Sequence, residues 1–212
     1  MYNDKYDFDC KRGGDYTEIL PLRGGFSLGV GMNLNRQIFG FIFSYSGRSP
    51  VFDACGVFLA EYLPYFLITG IFFFVFSYKT WRKRVTVFSF LVFVPLLARG
   101  VIGYLIGFLF PVARPFVVFE FIPLVGRVPD AAFPSGHATI FFSLALALFV
   151  FNRTWGWSYF LAACAIGIAR VFVGVHWPMD IIGGLLVAVV AAGISWLIFR
   201  PYLEKLVLEK QN

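Results

Sequence analysis

Charged residues are scarce in this chain, and their scarcity argues against a soluble protein. Asp, Glu, Lys and Arg make up 14% of the 212 residues, whereas a typical soluble domain has about 25%. Hydrophobic residues make up 59%, and the mean hydropathy is +0.76. The composition therefore excludes an ordinary soluble domain and predicts an all-α protein that crosses a membrane several times. The length fits one compact domain.

Cysteine is nearly absent as well. The three cysteines, Cys10, Cys55 and Cys164, are odd in number and lack metal-ligand spacing, so we expect no disulfide framework and no cysteine metal site. The net charge of +6 does not indicate nucleic-acid binding, because that would need a clustered basic face with stacking aromatics, and the aromatics here fall inside apolar runs. Residues 1–31 lack the apolar core of a signal peptide, and we expect them to be poorly ordered.

Five apolar segments have the character of membrane-spanning helices. They cover residues 51–76, 85–110, 137–151, 156–173 and 180–199. The preceding stretch, 32–43, is amphipathic and shorter than the roughly 20 residues that cross a bilayer, so it predicts an interfacial helix. The chain then divides into an N-terminal segment (1–50), a membrane domain (51–200) and a cytoplasmic tail (201–212).

Positive charge predicts how these segments are oriented. Because the five spans alternate, the turn at 79–84, the turn at 152–155 and the tail share one side. The basic residues on that side are Lys79, Arg82, Lys83, Arg84, Arg153, Arg200, Lys205 and Lys210. Cytoplasmic loops are rich in Lys and Arg, so the loops at 111–136 and 174–179 are predicted to face outward. Arg36 and Arg48 lie on the outward side but are outnumbered.

Three polar fragments fall at the outward ends, and each suits phosphate chemistry. Arg114, which precedes Pro115, and Arg170 present planar guanidinium groups that match phosphate oxygens. Ser135 and Gly136 come directly before the third span, where the N–H groups of a helix N-terminus bind anions. The alternative is a set of polar turns with arginines that reach lipid headgroups.

The only two histidines of the chain lie in the same fragments. His176 can attack phosphorus as a neutral imidazole, and Asp180, four residues on, can orient its ring. His137 can give a proton to the leaving oxygen, because histidine titrates near neutrality. No carboxylate cluster accompanies either histidine, so we expect no metal ion and no cofactor.

The order of these fragments, Arg-Pro, then Pro-Ser-Gly-His, then Arg-x5-His-x3-Asp, resembles the type 2 phosphatidic acid phosphatase (PAP2) family of membrane lipid phosphatases. The resemblance covers residues 51–200 and implies the fold that this family shares with acid phosphatases and vanadium haloperoxidases. It also implies a metal-independent reaction through a phosphohistidine on His176. The implied roles are catalytic for His176, His137 and Asp180, and phosphate-binding for Arg114, Ser135, Gly136 and Arg170.

Two positions depart from the family pattern. Gly107 stands where the first motif often has a lysine, and Ala169 stands where the third often has a serine. The missing lysine, the run 58–62 and the start at Met32 resemble the bacterial undecaprenyl-diphosphatase branch, which is the bacitracin-resistance type. The resemblance to that branch also implies that the functional chain starts at Met32, so we expect residues 1–31 to be dispensable.

This branch implies hydrolysis of undecaprenyl diphosphate to undecaprenyl phosphate at the outer face of the plasma membrane, as part of cell-wall biogenesis. One alternative is a phosphatase for phosphatidic acid or phosphatidylglycerol phosphate. Another, from a different class, is a non-catalytic phospholipid binder or transporter. The expected partners are the lipid substrate and the bilayer, with no nucleic acid and no obligate protein partner.

Two ionisable residues lie inside the first two spans. Glu61 and Arg99 are predicted to differ in membrane depth by only about 3–5 Å, given a rise of 1.5 Å per residue. Because an unpaired charge at that depth is expensive, we expect them to form a structural ion pair. Arg127 and Asp130 are predicted to be loop residues that do not contact substrate.

Overall fold

The computed structural model describes residues 30–126 and 131–208. Arg127 and Asp130 lie outside the described residues. So do residues 1–29 of the segment 1–31 that was expected to be poorly ordered. Within the described part every regular element is a helix. In chain order these are α1 (Val30–Phe43), α2 (Pro50–Val57), the π-helical segment π1 (Phe58–Tyr62), α3 (Leu63–Phe76), α4 (Trp81–Pro95), the π-helical segment π2 (Leu96–Gly103), α5 (Tyr104–Leu109), α6 (Pro115–Val118), α7 (Gly136–Phe151), α8 (Arg153–Phe172) and α9 (Pro178–Leu208).

The membrane-spanning segments lie where the hydropathy pattern predicts them. Four helical runs are long and apolar enough to cross a membrane: Pro50–Phe76, Trp81–Leu109, Arg153–Phe172 and Pro178–Leu203. The apolar helix α7 has 16 residues, which is about 24 Å at 1.5 Å per residue. Together these are the five predicted segments, and the prediction of an all-α multi-pass membrane fold is confirmed.

The last helix is longer than predicted. The segment was expected to end at residue 199, but α9 continues to Leu208, so much of the predicted tail is helical. Pro201 lies inside the helix, and a proline there removes a backbone hydrogen bond. The next turn nevertheless holds, because Leu203 is 0% exposed and packs in the core of the bundle.

Helix α7 forms the centre of the bundle. It contacts α8, α9, α4 and π2. Ala138, Ala145 and Ala147 on this helix are all 0% exposed, and small side chains of this kind let neighbouring helices approach closely. The N-terminus of α7 is therefore surrounded by the ends of other helices.

Two π-helical segments interrupt the first two spans. In π1 the N–H of Leu63 donates to the carbonyl of Phe58, five residues back instead of four. Pro64 follows π1 closely and Pro95 directly precedes π2. Since proline has no N–H to donate, the regular hydrogen-bond ladder is broken at both places, and the helix widens locally.

Because successive spanning helices run in opposite directions, the connections between them lie at two opposite ends of the bundle. The turns between α3 and α4 and between α7 and α8 lie at one end, and the motif-bearing loops lie at the other. At the first end Arg84 donates to the carbonyl oxygens of Tyr78 at 2.7 Å and Phe76 at 3.2 Å. The arginine thus caps the C-terminal carbonyl groups of α3, where a positive charge is favourable.

Helix α1 packs over the motif-bearing end. Phe39, which is 1% exposed, packs against the rings of Phe119 and Trp177. The side-chain oxygen of Asn35 accepts the N–H of Met179 at 3.0 Å, at the start of α9. The predicted helix at 32–43 is confirmed, and its position at the membrane interface stays a prediction.

Candidate active site

The first motif is held by its backbone and by a tryptophan from the third. Arg114 is extended (φ −71°, ψ 154°) before Pro115, as residues before proline usually are. The indole Nε1 of Trp177 donates to the carbonyl of Ala113 at 2.9 Å. Arg114 is 5% exposed and donates from Nη1 to the carbonyl of Val175 at 3.1 Å. The guanidinium is therefore buried and held in a fixed direction.

The second motif forms the N-terminus of α7. Ser135 is the N-cap residue, and its N–H donates to the backbone carbonyl of Asp180 at 3.0 Å. Its side chain is 0% exposed, and its hydroxyl has no hydrogen-bond partner within residues 30–126 and 131–208. A buried hydroxyl without a partner is costly. Together with the N–H groups of the helix start it forms a set of donors suited to an anion.

The third motif depends on a tight turn between α8 and α9. Gly174 has φ +86°, a left-handed conformation that glycine adopts readily and that commonly ends a helix. The N–H of Val175 donates back to the carbonyl of Arg170 at 3.2 Å. A Cβ at position 174 would lie 2.6 Å from the ring of Phe121. This turn reverses the chain and brings His176 back to the end of α8.

His176 lies between a carboxylate and a guanidinium and is 2% exposed. Its Nδ1 is 3.2 Å from Oδ2 of Asp180, which also accepts the N–H of Trp177 at 2.8 Å. Its Nε2 is 3.5 Å from Nη1 of Arg114. Because a guanidinium can only donate, Nε2 presents its lone pair, and Nδ1 carries the proton that Asp180 accepts. This tautomer leaves the lone pair on Nε2, as the predicted nucleophilic role of His176 requires.

His137 belongs to the same cluster. It lies in the first turn of α7 and is half-buried. The ionisable groups that act on its ring are Arg170, His176, Arg114 and Arg99. The structure thus brings the residues predicted for the site to one end of the bundle, and their individual roles stay predictions.

The expected pair of Glu61 with Arg99 is wrong. Oε1 of Glu61 accepts Nη1 of Arg170 at 2.8 Å, and the Arg170 side chain is 6% exposed. The predicted membrane depths of the two residues were similar, but π1 packs against α8, whereas π2 packs against α7 and α9. Each charged residue therefore faces a different neighbour. Glu61 holds one of the predicted phosphate-binding arginines in place.

Arg99 is the residue that sequence reasoning misplaced. A Cβ built on Gly136 would lie 2.7 Å from Nε of Arg99, so this guanidinium packs against the backbone of the second motif. Gly107, where the family pattern often has a lysine, lies against the carbonyl of Phe133, 3.3 Å from a built Cβ. The available signal for Arg99 was its position as a charge inside an apolar span.

No metal-ion site is found among the described residues. Within them no group of three or more His, Cys, Asp or Glu side chains is arranged to hold a metal ion. The expectation of a reaction without metal or cofactor stays a prediction.

A membrane-embedded helical bundle with two histidines, an aspartate and several arginines gathered at one end has the architecture of a membrane phosphatase. The family model described as the PAP2 superfamily matches residues 88–203, which is more than half of the chain. The chain therefore belongs to the PAP2 superfamily, and it is a lipid phosphatase.

Individual relatives agree with this family assignment. The chain is 33% identical over 169 residues to the undecaprenyl-diphosphatase BcrC of Bacillus subtilis (strain 168), a match that covers 79% of this chain and 83% of the relative. It is 31% identical over 160 residues to the bacitracin transport permease protein BcrC of Bacillus licheniformis, covering 75% and 77%. The crystal structure of Aquifex aeolicus LpxE shares the fold, with a TM-score of 0.62, 24% identity and coverage of 76% and 94%.

Proposed function

We propose that this lipid phosphatase hydrolyses undecaprenyl diphosphate to undecaprenyl phosphate and inorganic phosphate. The relative from Bacillus subtilis that is named an undecaprenyl-diphosphatase supports this substrate. The observation that carries the chemistry is the position of the His176 ring, with Nδ1 at 3.2 Å from Asp180 and Nε2 at 3.5 Å from Arg114.

The first step transfers the terminal phosphoryl group to His176. Nε2 forms a bond to the terminal phosphorus as the bond from that phosphorus to the bridging oxygen breaks. Lipid phosphate leaves with the electron pair of that bond, and the protonated imidazole of His137 gives its proton to the leaving oxygen. The His176 ring gains positive charge, which the carboxylate of Asp180 stabilises through the Nδ1 proton.

The second step returns the enzyme to its starting state. A water oxygen attacks the phosphorus of the phosphohistidine, and the electron pair of the N–P bond returns to Nε2. His137 takes a proton from that water, and inorganic phosphate leaves. In both steps Arg114, Arg170 and the donors at Ser135 and Gly136 hold the non-bridging oxygens, whose negative charge they offset.

The distribution of basic residues supports an outward-facing site in the plasma membrane. The first turn of α4 carries Arg82, Lys83 and Arg84, at the end of the bundle opposite the motifs. Since the basic ends of membrane helices stay in the cytoplasm, this distribution supports a site that faces outward. Such a phosphatase would regenerate the lipid carrier of cell-wall synthesis and give tolerance to bacitracin.

The test of substrate is phosphate release by the purified full-length protein in detergent. Undecaprenyl diphosphate, phosphatidic acid and phosphatidylglycerol phosphate are compared, each with and without a chelator. We expect the highest kcat/KM for undecaprenyl diphosphate and no effect of the chelator. Arg82→Gln removes one exposed charge at the opposite end and serves as the matched control.

Two outcomes would replace this proposal. A higher kcat/KM for phosphatidylglycerol phosphate would assign the enzyme to that lipid, and tight binding of every lipid without phosphate release would indicate a non-catalytic binder. Orientation is tested separately with a water-soluble aryl phosphate. Right-side-out vesicles should hydrolyse it without lysis, and inverted vesicles only after lysis.

A further inference from the structure

A lipid-facing cavity of about 500 Å³ opens between α3, α4 with π2, and α7. Its lining includes Ile71, Phe88, Leu91 and Leu144. Every residue that lines it is apolar, glycine or proline, except one, which is Arg99. Such a groove suits a hydrocarbon chain and not a polar headgroup.

Arg99 belongs both to this groove and to the active site. Nε of Arg99 packs against the backbone of Gly136, since a Cβ built on Gly136 would lie only 2.7 Å from it. The positive charge of Arg99 also acts on the ring of His137. The guanidinium therefore lies at the junction between the apolar groove and the donors at the N-terminus of α7. A lipid whose chain fills the groove and whose phosphorus reaches His176 must pass Arg99.

No carboxylate of the described ranges neutralises this arginine. Glu61 is bound to Arg170, Asp53 to the N–H of Gly47, and Asp180 to His176 and Trp177. Two other carboxylates belong to the described ranges. Glu120 is exposed in the loop after α6, and Glu204 lies near the C-terminus of α9, at the end of the bundle opposite the motifs. Because a charge within a membrane span is expensive without a counter-ion, the position calls for an anion supplied by the substrate.

We propose that Arg99 binds the lipid-side phosphate of a lipid diphosphate and so makes the enzyme selective for diphosphates over monophosphates. This inference rests on the proposed function. The terminal phosphate lies at His176, Arg114 and Arg170, the second phosphate lies at Arg99, and the chain lies in the groove. As the bond between terminal phosphorus and bridging oxygen breaks, negative charge grows on the lipid phosphate, and Arg99 stabilises it. A lipid monophosphate has no group to place there.

The test uses pairs of substrates that differ by one phosphate. Undecaprenyl diphosphate is compared with undecaprenyl phosphate, and diacylglycerol diphosphate with phosphatidic acid. Removing one donor of this kind costs about 10²–10³-fold in rate. Arg99→Gln should therefore lower kcat/KM for both diphosphates by about that factor and leave the monophosphates within about threefold, so that selectivity collapses. Arg99→Lys, which keeps the positive charge, should retain most of the selectivity for diphosphates.

Several outcomes separate this inference from the proposed function. Arg82→Gln is the matched control and should leave kcat/KM unchanged for both classes of substrate. An unchanged melting temperature in detergent shows that Arg99→Gln folds. Equal losses on diphosphates and monophosphates, or no loss on either, overturn the role of Arg99 while wild-type turnover of undecaprenyl diphosphate still supports the proposed function. Wild-type protein that hydrolyses no diphosphate overturns both.

A second variant tests the groove without touching a charge. Val92 lines the groove and is 46% exposed, so Val92→Trp narrows it. We expect a raised KM for undecaprenyl diphosphate and an unchanged kcat/KM for a water-soluble aryl phosphate. An unchanged KM for the long-chain lipid would show that its chain lies elsewhere, which would overturn the assigned path past Arg99.

Discussion

Replacing Asp180 by asparagine tests how the His176 tautomer is held. Both donors approach the same oxygen of Asp180: the Nδ1–H of His176 at 3.2 Å and the backbone N–H of Trp177 at 2.8 Å. If the amide nitrogen of asparagine took that position, it would face the Trp177 N–H with two donors in contact. The side chain should therefore keep its oxygen there and continue to accept both protons.

The expected loss in Asp180→Asn follows from this geometry. The tautomer is kept, and only the negative charge beside the imidazole is lost. A hydrogen bond to a charged group contributes about 1.5–3 kcal/mol, and 1.36 kcal/mol is a factor of ten in rate. The kcat for an aryl phosphate should therefore fall by about 10- to 150-fold. Asp180→Ala removes the acceptor itself and should cost on the order of 10⁴-fold, as loss of the correct tautomer does in a serine-protease triad.

The assay is steady-state kcat together with the rate of phosphohistidine formation after rapid quenching. Asp53→Asn is the matched control, since Asp53 also lies in the first turn of a helix and accepts a backbone N–H, from Gly47 at 2.9 Å. It should leave kcat unchanged. If Asp180→Asn is as inactive as Asp180→Ala, the amide has reversed and the Trp177 N–H does not set its orientation, which refutes the reasoning.

Four further variants test other parts of the site. His176→Ala should abolish turnover of every substrate and all labelling of the protein by radioactive phosphate; residual turnover would exclude the covalent route. His137→Ala should slow hydrolysis of phosphatidic acid by about 10²–10⁴-fold and largely spare an aryl phosphate, whereas equal losses would mean that His137 only binds phosphate. Glu61→Gln removes the carboxylate that holds Arg170 at 2.8 Å, so kcat/KM should fall about tenfold and inorganic phosphate should inhibit more weakly; unchanged inhibition would contradict this role. Gly174→Ala forces alanine to φ +86° against Phe121, which should cost about 1–2 kcal/mol and lower the melting temperature in detergent, and an unchanged melting temperature would show that the turn relaxes.

The amino-acid sequence by itself determined the class of protein, the helical segments and the residues that gather in the candidate site. Membrane helices must be long and apolar because a bilayer offers no partners for exposed backbone groups, so hydropathy alone locates them. The gathering of the candidate site residues was predictable for a related reason. Polar residues such as His137, His176 and Asp180 are rare between apolar runs, and alternation of the spans places all of them at one end.

Tertiary structure alone decided the partners of the two charged residues inside the spans. The rise per residue predicts the depth of Glu61 and Arg99, but the direction of each side chain depends on helical phase. One extra residue in a π turn rotates the following helix by about 100°, and both residues lie in such turns. Glu61 therefore faces Arg170 across the bundle, and Arg99 faces Gly136. Pro64 and Pro95 mark where the helices are interrupted, but the neighbour that each charged residue then faces is set by how α7, α8 and α9 pack around the two spans.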